Sequence, residues 1–349
     1  MKAIGSYRYL PIENEESLID LEIEKPTPSG HDLLVHVKAI SVNPTDVKSR
    51  ADTKQREETP KILGRDVAGI VVQVGAECTL FQPGDEVYYA GSNTRPGGNS
   101  EFHLVDERIV GHKPQSLDFA QAAALPLTSL TAMEGLFERL GISRDPDANK
   151  GKAILIIGAA GGVGSIATQL ASLAGLTVIG TASRPESIQW VREHGAAHTI
   201  SHAQPLVPQL KVLGFPTVEY IFCLNNPHQH WDGMAESIAP QGKICSILPI
   251  DASVNLHPLF MKSVTLAWEV IFTRSMFQTV DMIEQHNLLN EVADLVDAGK
   301  LRTTLTERLE PIHAANLRQA HTKVESGRMI GKIVLTNFSD ERSGQTHNV

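Results

Sequence analysis

The sequence predicts an α/β protein with two domains, a compact β-rich domain and a domain built on a doubly wound parallel sheet. Two observations lead to this prediction. At about 150 residues per domain, a chain of 349 residues is long enough for two complete cores. The pattern of apolar residues also changes, from short strand-like runs before about residue 106 to alternating strands and helices after residue 152.

The first part of the chain is predicted to form a series of short strands. Apolar, β-rich runs at residues 33–40, 69–75 and 85–89 are separated by turn-forming segments such as Pro83-Gly84. Because Gly and Pro favour turns and β-branched residues favour strands, this spacing predicts a barrel-like β domain.

The second part alternates between strand and helix patterns. Apolar runs at 153–157, 177–181, 218–222 and 243–248 predict buried strands, and helical spacing over 163–174 and 185–194 predicts helices between them. This alternation indicates a parallel sheet, which binds ligands beyond the carboxyl ends of its strands. Further along, the pattern predicts a helix over residues 276–300, a strand at 332–335 and a disordered polar tail at 339–349.

A glycine-rich turn joins the first of these strands to the helix after it. Residues 158–164 have the sequence Gly-Ala-Ala-Gly-Gly-Val-Gly, in which Ala159 replaces the first glycine of the usual G-x-G-x-x-G pattern. Between a strand and a helix, such a turn binds a dinucleotide, because free backbone amides and the positive end of the helix dipole can hold a pyrophosphate. The predicted cofactor contacts are Ala160, Gly161, Gly162, Val163 and Gly164. The alternative is a turn that binds no ligand.

The end of the second strand indicates which cofactor is used. An NAD site places an Asp or Glu there, where it bonds the ribose 2′-hydroxyl. This sequence instead has Ser183 and Arg184, and a hydroxyl with an Arg fork would bind a 2′-phosphate that a carboxylate would repel. We therefore predict NADPH as the cofactor. A solvated surface arginine is the alternative interpretation of Arg184.

Composition restricts the partners and the location. With 40 acidic and 31 basic residues, the net charge is −9, and since there is no basic block we expect no nucleic-acid partner. We find neither a secretion signal nor the ~18 consecutive apolar residues of a membrane span, and we therefore expect a cytoplasmic protein with a small-molecule substrate and no membrane partner. The three widely spaced cysteines predict neither a disulfide framework nor a zinc ribbon.

Several motifs, in order along the chain, resemble those of the medium-chain dehydrogenase/reductase superfamily. Within it, the sequence is most similar to the zinc-free, quinone oxidoreductase-like branch, in a subgroup often labelled the zinc-binding alcohol dehydrogenase family. The resemblance covers about residues 1–337 and rests on these segments: Ser-Val-Asn-Pro-Thr-Asp at 41–46, Leu-Gly-Arg-Asp-Val-Ala-Gly at 63–69, Phe-Gln-Pro-Gly-Asp-Glu-Val at 81–87, Ala-Ala-Gly-Gly-Val-Gly at 159–164 and Gly-Lys-Ile-Val-Leu at 331–335.

The resemblance implies a specific architecture. A GroES-like catalytic domain is expected from residues 1–130 and 266–338, with a Rossmann NADPH-binding domain inserted at 131–265. It also implies a homodimer that assembles through sheet edges, in keeping with the general preference for closed symmetric pairs.

The resemblance also allows the zinc label to be tested. In the zinc-dependent relatives, a Cys occupies the position of Asn43 and a His that of Arg65. Zinc requires thiolate, neutral imidazole or carboxylate ligands, and a guanidinium stays charged. The Cys-rich lobe that holds structural zinc in those relatives is also missing, because no Cys lies between Tyr89 and Glu107. We therefore predict no bound metal.

Without zinc, simple alcohol oxidation is difficult, whereas hydride transfer to a quinone or an enone spreads the charge over a hydroquinone or an enolate. The resemblance places several residues at this reaction. Asn43 is expected to bond the cofactor, Thr45 to relay a proton, and Asp46 to act beside it. Arg65 either supplies positive potential to the substrate oxygen or only forms an ion pair with Asp46 or Asp66. The remaining assignments are Thr131 and Lys332 at the cofactor and Trp268 and Phe272 at the substrate.

The sequence thus predicts a zinc-independent, NADPH-dependent reductase of quinones or α,β-unsaturated carbonyls. Two alternatives remain open. One is a zinc-type alcohol or aldehyde dehydrogenase, and the other is an NADPH-binding sensor or structural protein with weak turnover.

Overall fold

The computed structural model of the protein describes residues 1–51 and 58–338, so the tail at 339–349 lies outside the described residues. The chain divides into two compact units. Unit 1 comprises Met1–Pro126, Phe272–Asp297 and Leu305–Val349, and unit 2 comprises Leu127–Ile271 and Ala298–Thr304. The domain limits predicted from the sequence, after residue 130 and before residue 266, stay predictions. No helix in the described part of the chain is long and apolar enough to cross a membrane.

The N-terminal part of unit 1 consists mostly of strands. Its elements are β1 (Lys2–Ser6), β2 (Ile19–Glu22), β3 (Asp32–Ser41), α1 (Pro44–Ala51), β4 (Lys61–Ile62), β5 (Asp66–Val74), β6 (Glu86–Tyr89), β7 (Phe102–Asp106), β8 (Val110–His112) and α2 (Phe119–Ala123). The three strands predicted at 33–40, 69–75 and 85–89 correspond to β3, β5 and β6.

Unit 2 alternates strands and helices. It contains α3 (Pro126–Met133), which continues as a π-helix (Glu134–Arg139), then β9 (Ala153–Ile157), α4 (Gly162–Leu173), β10 (Thr177–Thr181), α5 (Pro185–Glu193), β11 (His198–Ile200), α6 (Leu206–Val212), β12 (Val218–Cys223), α7 (Pro227–Ser237), β13 (Ile238–Ser246), α8 (His257–Met261) and β14 (Thr265–Trp268). The chain then adds α9 (Thr273–Phe277), α10 (Glu284–Asp297), β15 (Leu305–Leu309), α11 (Ala314–Glu325) and β16 (Lys332–Thr336) to unit 1.

The sheet of unit 1 joins both ends of the chain. Its strand order is β15-β16-β3-β5-β6-β8, with β7 also paired to β3, and a small sheet has the order β2-β1-β4. β16 runs antiparallel to β3, with Val334 opposite Ser41. The core contains apolar side chains from N-terminal strands together with residues of α11 and β16. Burial of these side chains drives the pairing of segments that are far apart in sequence.

The sheet of unit 2 has six strands in the order β11-β10-β9-β12-β13-β14, and every neighbouring pair is parallel. β9 is buried along its whole length, as expected for a central parallel strand. The order reverses between β9 and β12, and a sheet of this kind binds its ligand at such a switch point. The predicted doubly wound parallel sheet is confirmed.

One sequence prediction is wrong in detail. Residues 276–300 were expected to form one helix, but α9 ends at Phe277 and α10 begins only at Glu284. The backbone of Gln278 has a φ of 48°, in the left-handed region, and this conformation cannot continue a right-handed helix. The apolar spacing beyond this residue belongs to α10 alone.

Unit 2 also contains a buried pair of carboxyl groups. Glu269 follows β14, Glu134 opens the π-helix, and both are 1% exposed. Burial, the charge of Glu134 and a hydrogen bond with it raise the pKa of Glu269 well above its ordinary value. The Arg139 Nε lies 2.8 Å from the Glu269 Oε2 and offsets only part of this effect. Glu269 therefore keeps its proton to a higher pH in the folded protein than in the unfolded chain.

Replacing Glu269 should stabilise the protein at high pH. Since the folded-state pKa is raised, the folded chain binds more protons than the unfolded chain above pH ~4.5, and stability falls as pH rises towards the folded-state pKa. In Glu269→Gln, the amide keeps a donor towards Glu134 without titrating. We expect its Tm to exceed that of the wild type by several degrees at pH 8, since ~1 kcal/mol shifts Tm by about 2–4 °C at this size, and by less at pH 5.

Calorimetry at both pH values measures this difference. Glu138→Gln is the matched control, because Glu138 lies on the same π-helix, is exposed and also contacts Arg139. A difference in Tm that does not change with pH would contradict the raised pKa of Glu269.

Candidate active site

The glycine-rich turn lies between β9 and α4, at the switch point of the sheet. A Cβ on Gly164 would lie 2.3 Å from the Gly158 carbonyl oxygen, so only glycine allows α4 to approach the turn this closely. Gly158 itself has a φ of +88°, which favours glycine. The backbone N–H of Gly158 donates to the Thr181 Oγ1 at 2.9 Å and ties the turn to β10.

The start of α4 can accept an anion. Gly161 is its N-cap residue and provides no side-chain cap, and a Cβ at Gly161 would meet only the Gly158 oxygen, at 3.5 Å. Space that a side chain would fill is therefore open beside the first amides of the helix. Ala160, Gly161, Gly162 and Val163 are partly exposed, whereas Gly164 is buried. These residues fit the pyrophosphate of a dinucleotide, with Gly164 acting through helix packing rather than by contact.

The end of β10 presents the two residues predicted to select NADPH. Ser183 is exposed, and its Oγ lies 3.4 Å from the Nε2 of His202, which follows β11. Arg184 is the N-cap residue of α5, and its Nη1 lies 3.2 Å from the Glu186 Oε1. His202 is a polar neighbour that sequence reasoning missed, because it enters through the pairing of β11 with β10.

The other two predicted residues of unit 2 differ in accessibility. Thr131, assigned to the nicotinamide, is buried in α3, and its hydroxyl donates to the Leu127 carbonyl at 2.7 Å. Trp268 is the last residue of β14 and is 48% exposed. Trp268 thus belongs to a strand at the edge of the sheet, and its predicted contact with the substrate stays a prediction.

In unit 1, the predicted residues Asn43 and Lys332 belong to one buried network. The Lys332 Nζ donates to the Val42 carbonyl at 3.1 Å, to the Asn43 Oδ1, and to the Asp66 Oδ2 at 2.9 Å. The Asn43 Nδ2 also donates to the Asp66 Oδ2, at 2.8 Å.

The hydrogen-bonding groups of Asn43 and Lys332 are used within unit 1. The three donors of the Lys332 ammonium are already used inside unit 1, and the amide of Asn43 is held at both ends. Both residues are at most 4% exposed. The two side chains thus hold neighbouring segments of unit 1 together, and their predicted contact with the cofactor stays a prediction.

Asp46 is also a positioning residue. It occupies the third position of α1 and is 1% exposed. Its Oδ2 accepts the backbone N–H of Asn43 at 2.9 Å, and its Oδ1 accepts that of Gly64 at 3.3 Å. This carboxylate thus fixes the start of α1 and the segment before Arg65. Burial raises the pKa of Asp46 to about 6, although the charge of Arg65 opposes this shift.

Arg65 is buried, and its guanidinium lies between a backbone carbonyl and an aromatic ring. Its Nη1 donates to the Ser92 carbonyl, and its guanidinium carbon lies 5.7 Å from the centre of the Phe272 ring. Burial lowers its pKa, and the nearby Asp46 acts in the opposite direction. The structure therefore brings together Arg65, predicted to be catalytic, and Phe272, predicted to contact the substrate. Thr45, the predicted proton relay, lies partly exposed on α1.

A cavity of about 140 Å³ adjoins this region of unit 1 and is lined by Ser92, Arg95, His103, Ser275 and Gln278, among others. Burial lowers the pKa of His103 to about 4, so its ring is neutral near pH 7. The ring lies 2.9 Å from the Tyr89 hydroxyl through Nδ1 and 2.9 Å from the Pro96 carbonyl through Nε2. These contacts indicate an Nε2–H tautomer, with Tyr89 donating to Nδ1. No pattern in the sequence predicts this cavity.

The donor set of unit 1 does not fit a zinc ion. At the two positions where zinc-dependent relatives carry ligands, this chain has the amide of Asn43, held by Lys332 and Asp66, and the cationic Arg65. Within residues 1–51 and 58–338, no three His, Cys, Asp or Glu side chains are grouped so that they could hold a metal.

Comparisons of the sequence identify its relatives. Residues 29–129 match the alcohol dehydrogenase GroES-like domain, and residues 194–335 match the zinc-binding dehydrogenase family. The chain is 42% identical over 335 residues to the zinc-type alcohol dehydrogenase-like protein SAS2087 of Staphylococcus aureus, covering 96% of this chain and 99% of the relative. It is 33% identical over 337 residues to the mitochondrial NAD(P)H oxidoreductase RTN4IP1 of Mus musculus, covering 87% and 81%.

Solved structures show the same fold. A protein from Rhizobium etli CFN 42, assigned provisionally to the zinc-dependent alcohol dehydrogenases, has a TM-score of 0.92 and 52% identity, with 97% of this chain and 99% of that chain covered. A quinone oxidoreductase of Pseudomonas syringae has a TM-score of 0.80 and 27% identity, with 96% and 99% covered. With these relatives and a glycine-rich turn at the switch point, the chain belongs to the medium-chain dehydrogenase/reductase superfamily and is an oxidoreductase that binds a nicotinamide nucleotide.

Proposed function

We propose that the protein is a zinc-independent, NADPH-dependent reductase that transfers hydride to a quinone or an α,β-unsaturated carbonyl. The observation that carries this proposal is the donor set of unit 1. The positions where zinc-dependent relatives place ligands are occupied by the buried guanidinium of Arg65 and by the amide of Asn43, which accepts a hydrogen bond from Lys332. The name of the Pseudomonas syringae quinone oxidoreductase, at 27% identity, supports the same reaction class.

The residues of unit 1 suit a reaction in which negative charge develops on an oxygen. Arg65 provides a fixed positive charge on a buried side chain. Because the dielectric constant is low where water is excluded, this charge stabilises a developing oxyanion more strongly than it would in water. The network of Asn43, Asp66 and Lys332 and the contacts of Asp46 hold the segments on either side of Arg65. Thr45 supplies a partly exposed hydroxyl that can hold a proton at Oγ1.

The residues of unit 2 suit the cofactor. When bound, NADPH supplies the hydride. The first amides of α4 bind its pyrophosphate, and Ser183 and Arg184 bind its 2′-phosphate through a hydroxyl and a guanidinium. Thr131 contributes from α3 by packing, since its hydroxyl proton is already donated to Leu127.

A zinc-type alcohol or aldehyde dehydrogenase is the second candidate, because the names of the Staphylococcus and Rhizobium proteins contain the words alcohol dehydrogenase. It requires this chain to bind zinc with donors other than those at residues 43 and 65.

We also propose that the protein is a cytoplasmic homodimer. β14 is the edge strand of the sheet in unit 2, and its outer backbone groups are available for pairing. Exposed apolar residues lie on this strand and close to it in sequence: Phe260, Met261, Trp268 and Val270. A second copy that pairs edge to edge would cover both features. The mass of the protein in solution tests this proposal.

Turnover on a substrate panel tests the reaction class. We expect the purified enzyme to oxidise NADPH with quinones or enones, to show little activity on simple alcohols and aldehydes, and to keep its activity after treatment with a zinc chelator. Elemental analysis of the same sample measures its zinc content. About one zinc per chain, together with alcohol turnover that the chelator abolishes, would establish the second candidate. Tight NADPH binding without turnover would favour a sensor.

Removal of the charge at Arg65 should slow the reaction. Loss of one oxyanion-stabilising group costs about 10²–10³-fold in kcat, and we expect a decrease of this size in Arg65→Met with an unchanged Kd for NADPH. Arg65→Lys is the matched control, because it keeps the charge and should retain more activity. Thermal unfolding of both variants separates this effect from loss of structure beside Asp46. Full turnover by a folded Arg65→Met would reduce Arg65 to a structural role.

Removal of Arg184 should weaken the binding of NADPH selectively. A charge-assisted hydrogen bond contributes about 1.5–3 kcal/mol, which corresponds to ~10–100-fold in affinity. We expect Arg184→Ala to raise the Kd for NADPH by this factor and to change the Kd for NADH less than twofold. In Glu186→Gln, the control, Arg184 loses its carboxylate partner and NADPH should bind as well or better. Equal effects of Arg184→Ala on both cofactors would contradict the assignment.

A further inference from the structure

A histidine lies beside the proposed 2′-phosphate site. β10 and β11 are parallel neighbours, with Thr181 opposite Ile200, and the residues that follow them emerge at the same edge of the sheet. The Nε2 of His202 lies 3.4 Å from the Ser183 Oγ. The other ring nitrogen, Nδ1, is enclosed and has no hydrogen-bond partner among the residues that the structure describes. The Nε2 side is therefore the side from which the ring can reach a ligand bound at Ser183.

The charges around this ring hold it neutral without a ligand. Burial and the positive charge of Arg184 lower the pKa of His202. His230, from α7, also faces the ring, and its own pKa is lowered by burial and by His202. Glu186 pairs with Arg184. The exposed hydroxyl of Ser183 thus lies next to Arg184 in the sequence and 3.4 Å from the His202 ring.

We propose that His202 determines cofactor specificity together with Ser183 and Arg184, and that it takes up a proton when NADPH binds. This inference rests on the proposed function, in which the 2′-phosphate lies at Ser183 and Arg184. A phosphate dianion placed there reverses the sign of the field at His202 and favours the imidazolium form. The imidazolium then donates from Nε2 to a phosphate oxygen in a charge-assisted hydrogen bond. NADH has no such phosphate, and it leaves the ring neutral.

This linkage has a defined sign. Because the complex with NADPH binds more protons at His202 than the free protein, affinity for NADPH falls as pH rises between the pKa values of His202 in the free and bound states. The limiting slope is tenfold in Kd per pH unit for one full proton. The second ionisation of the phosphate, near pH 6, acts in the opposite direction, and measurements at and above pH 7 avoid it.

Calorimetric titration of the wild-type protein tests the proposal directly. NADPH and NADH are each titrated at pH 7.2 in two non-phosphate buffers that differ in ionisation enthalpy, and the difference in heat gives the number of protons exchanged. We expect uptake of a measurable fraction of a proton with NADPH and none with NADH. Repeating the NADPH titration at pH 8.5 should give a severalfold higher Kd.

Two variants identify the residue that carries the proton. In His202→Gln, a neutral side chain of similar reach, proton uptake should disappear, and the preference for NADPH should fall severalfold at pH 7.2 but little at pH 8.5. His230→Gln is the matched control and should keep both uptake and preference. Unchanged uptake in His202→Gln, or its loss in His230→Gln, would overturn the assignment to His202.

The outcomes also separate this inference from the proposed function. If the wild-type protein prefers NADPH but takes up no proton, the role of His202 is wrong and the cofactor assignment stands. If the wild-type protein does not prefer NADPH to NADH, the cofactor assignment fails, and this inference fails with it.

Discussion

The buried ion pair between Lys332 and Asp66 is the interaction on which the architecture of unit 1 depends. The two residues are 266 positions apart, and the same ammonium group also bonds Asn43 and the Val42 carbonyl. A buried charge is tolerated only where its partners are in place, and removal of one partner typically costs about 3–5 kcal/mol. The last strand, the start of β5 and the segment after β3 must therefore assemble together, and unit 1 requires both ends of the chain.

The structure of unit 2 follows closely from local sequence patterns. Its strands are short apolar runs, its helices have regular spacing, and the turn at Gly158 to Gly164 needs glycine for reasons of local geometry. Each of these signals lies within a few residues of the feature that it predicts. The prediction over residues 276–300 was wrong for a related reason. Apolar periodicity does not report the left-handed backbone of Gln278, because glutamine has no strong preference for that conformation.

The site in unit 1 was harder to predict, and the difficulty differs from residue to residue. The role of Asp46 had a local signal, since an acidic residue at the third position of a helix often bonds the backbone N–H of the N-cap residue, here Asn43. Lys332 had none. Its place beside Asn43 follows from the register of β16 on β3, which depends on the core as a whole. His202 also had no local signal in the sequence, because it reaches Ser183 through the pairing of β11 with β10.

The charges of the site in unit 1 explain why a site with these side chains would not also hold a metal ion. Arg65 and Lys332 carry two positive charges, and Asp46 and Asp66 carry two negative charges when ionised, so the group is close to neutral. A zinc site reaches a comparable balance with anionic thiolates around a dication. Adding a dication to a group that is already balanced would leave two positive charges uncompensated at low exposure, at a large cost in solvation. The guanidinium of Arg65 donates to the Ser92 carbonyl, and in the proposed reaction its positive charge would stabilise the negative charge that develops on the substrate oxygen.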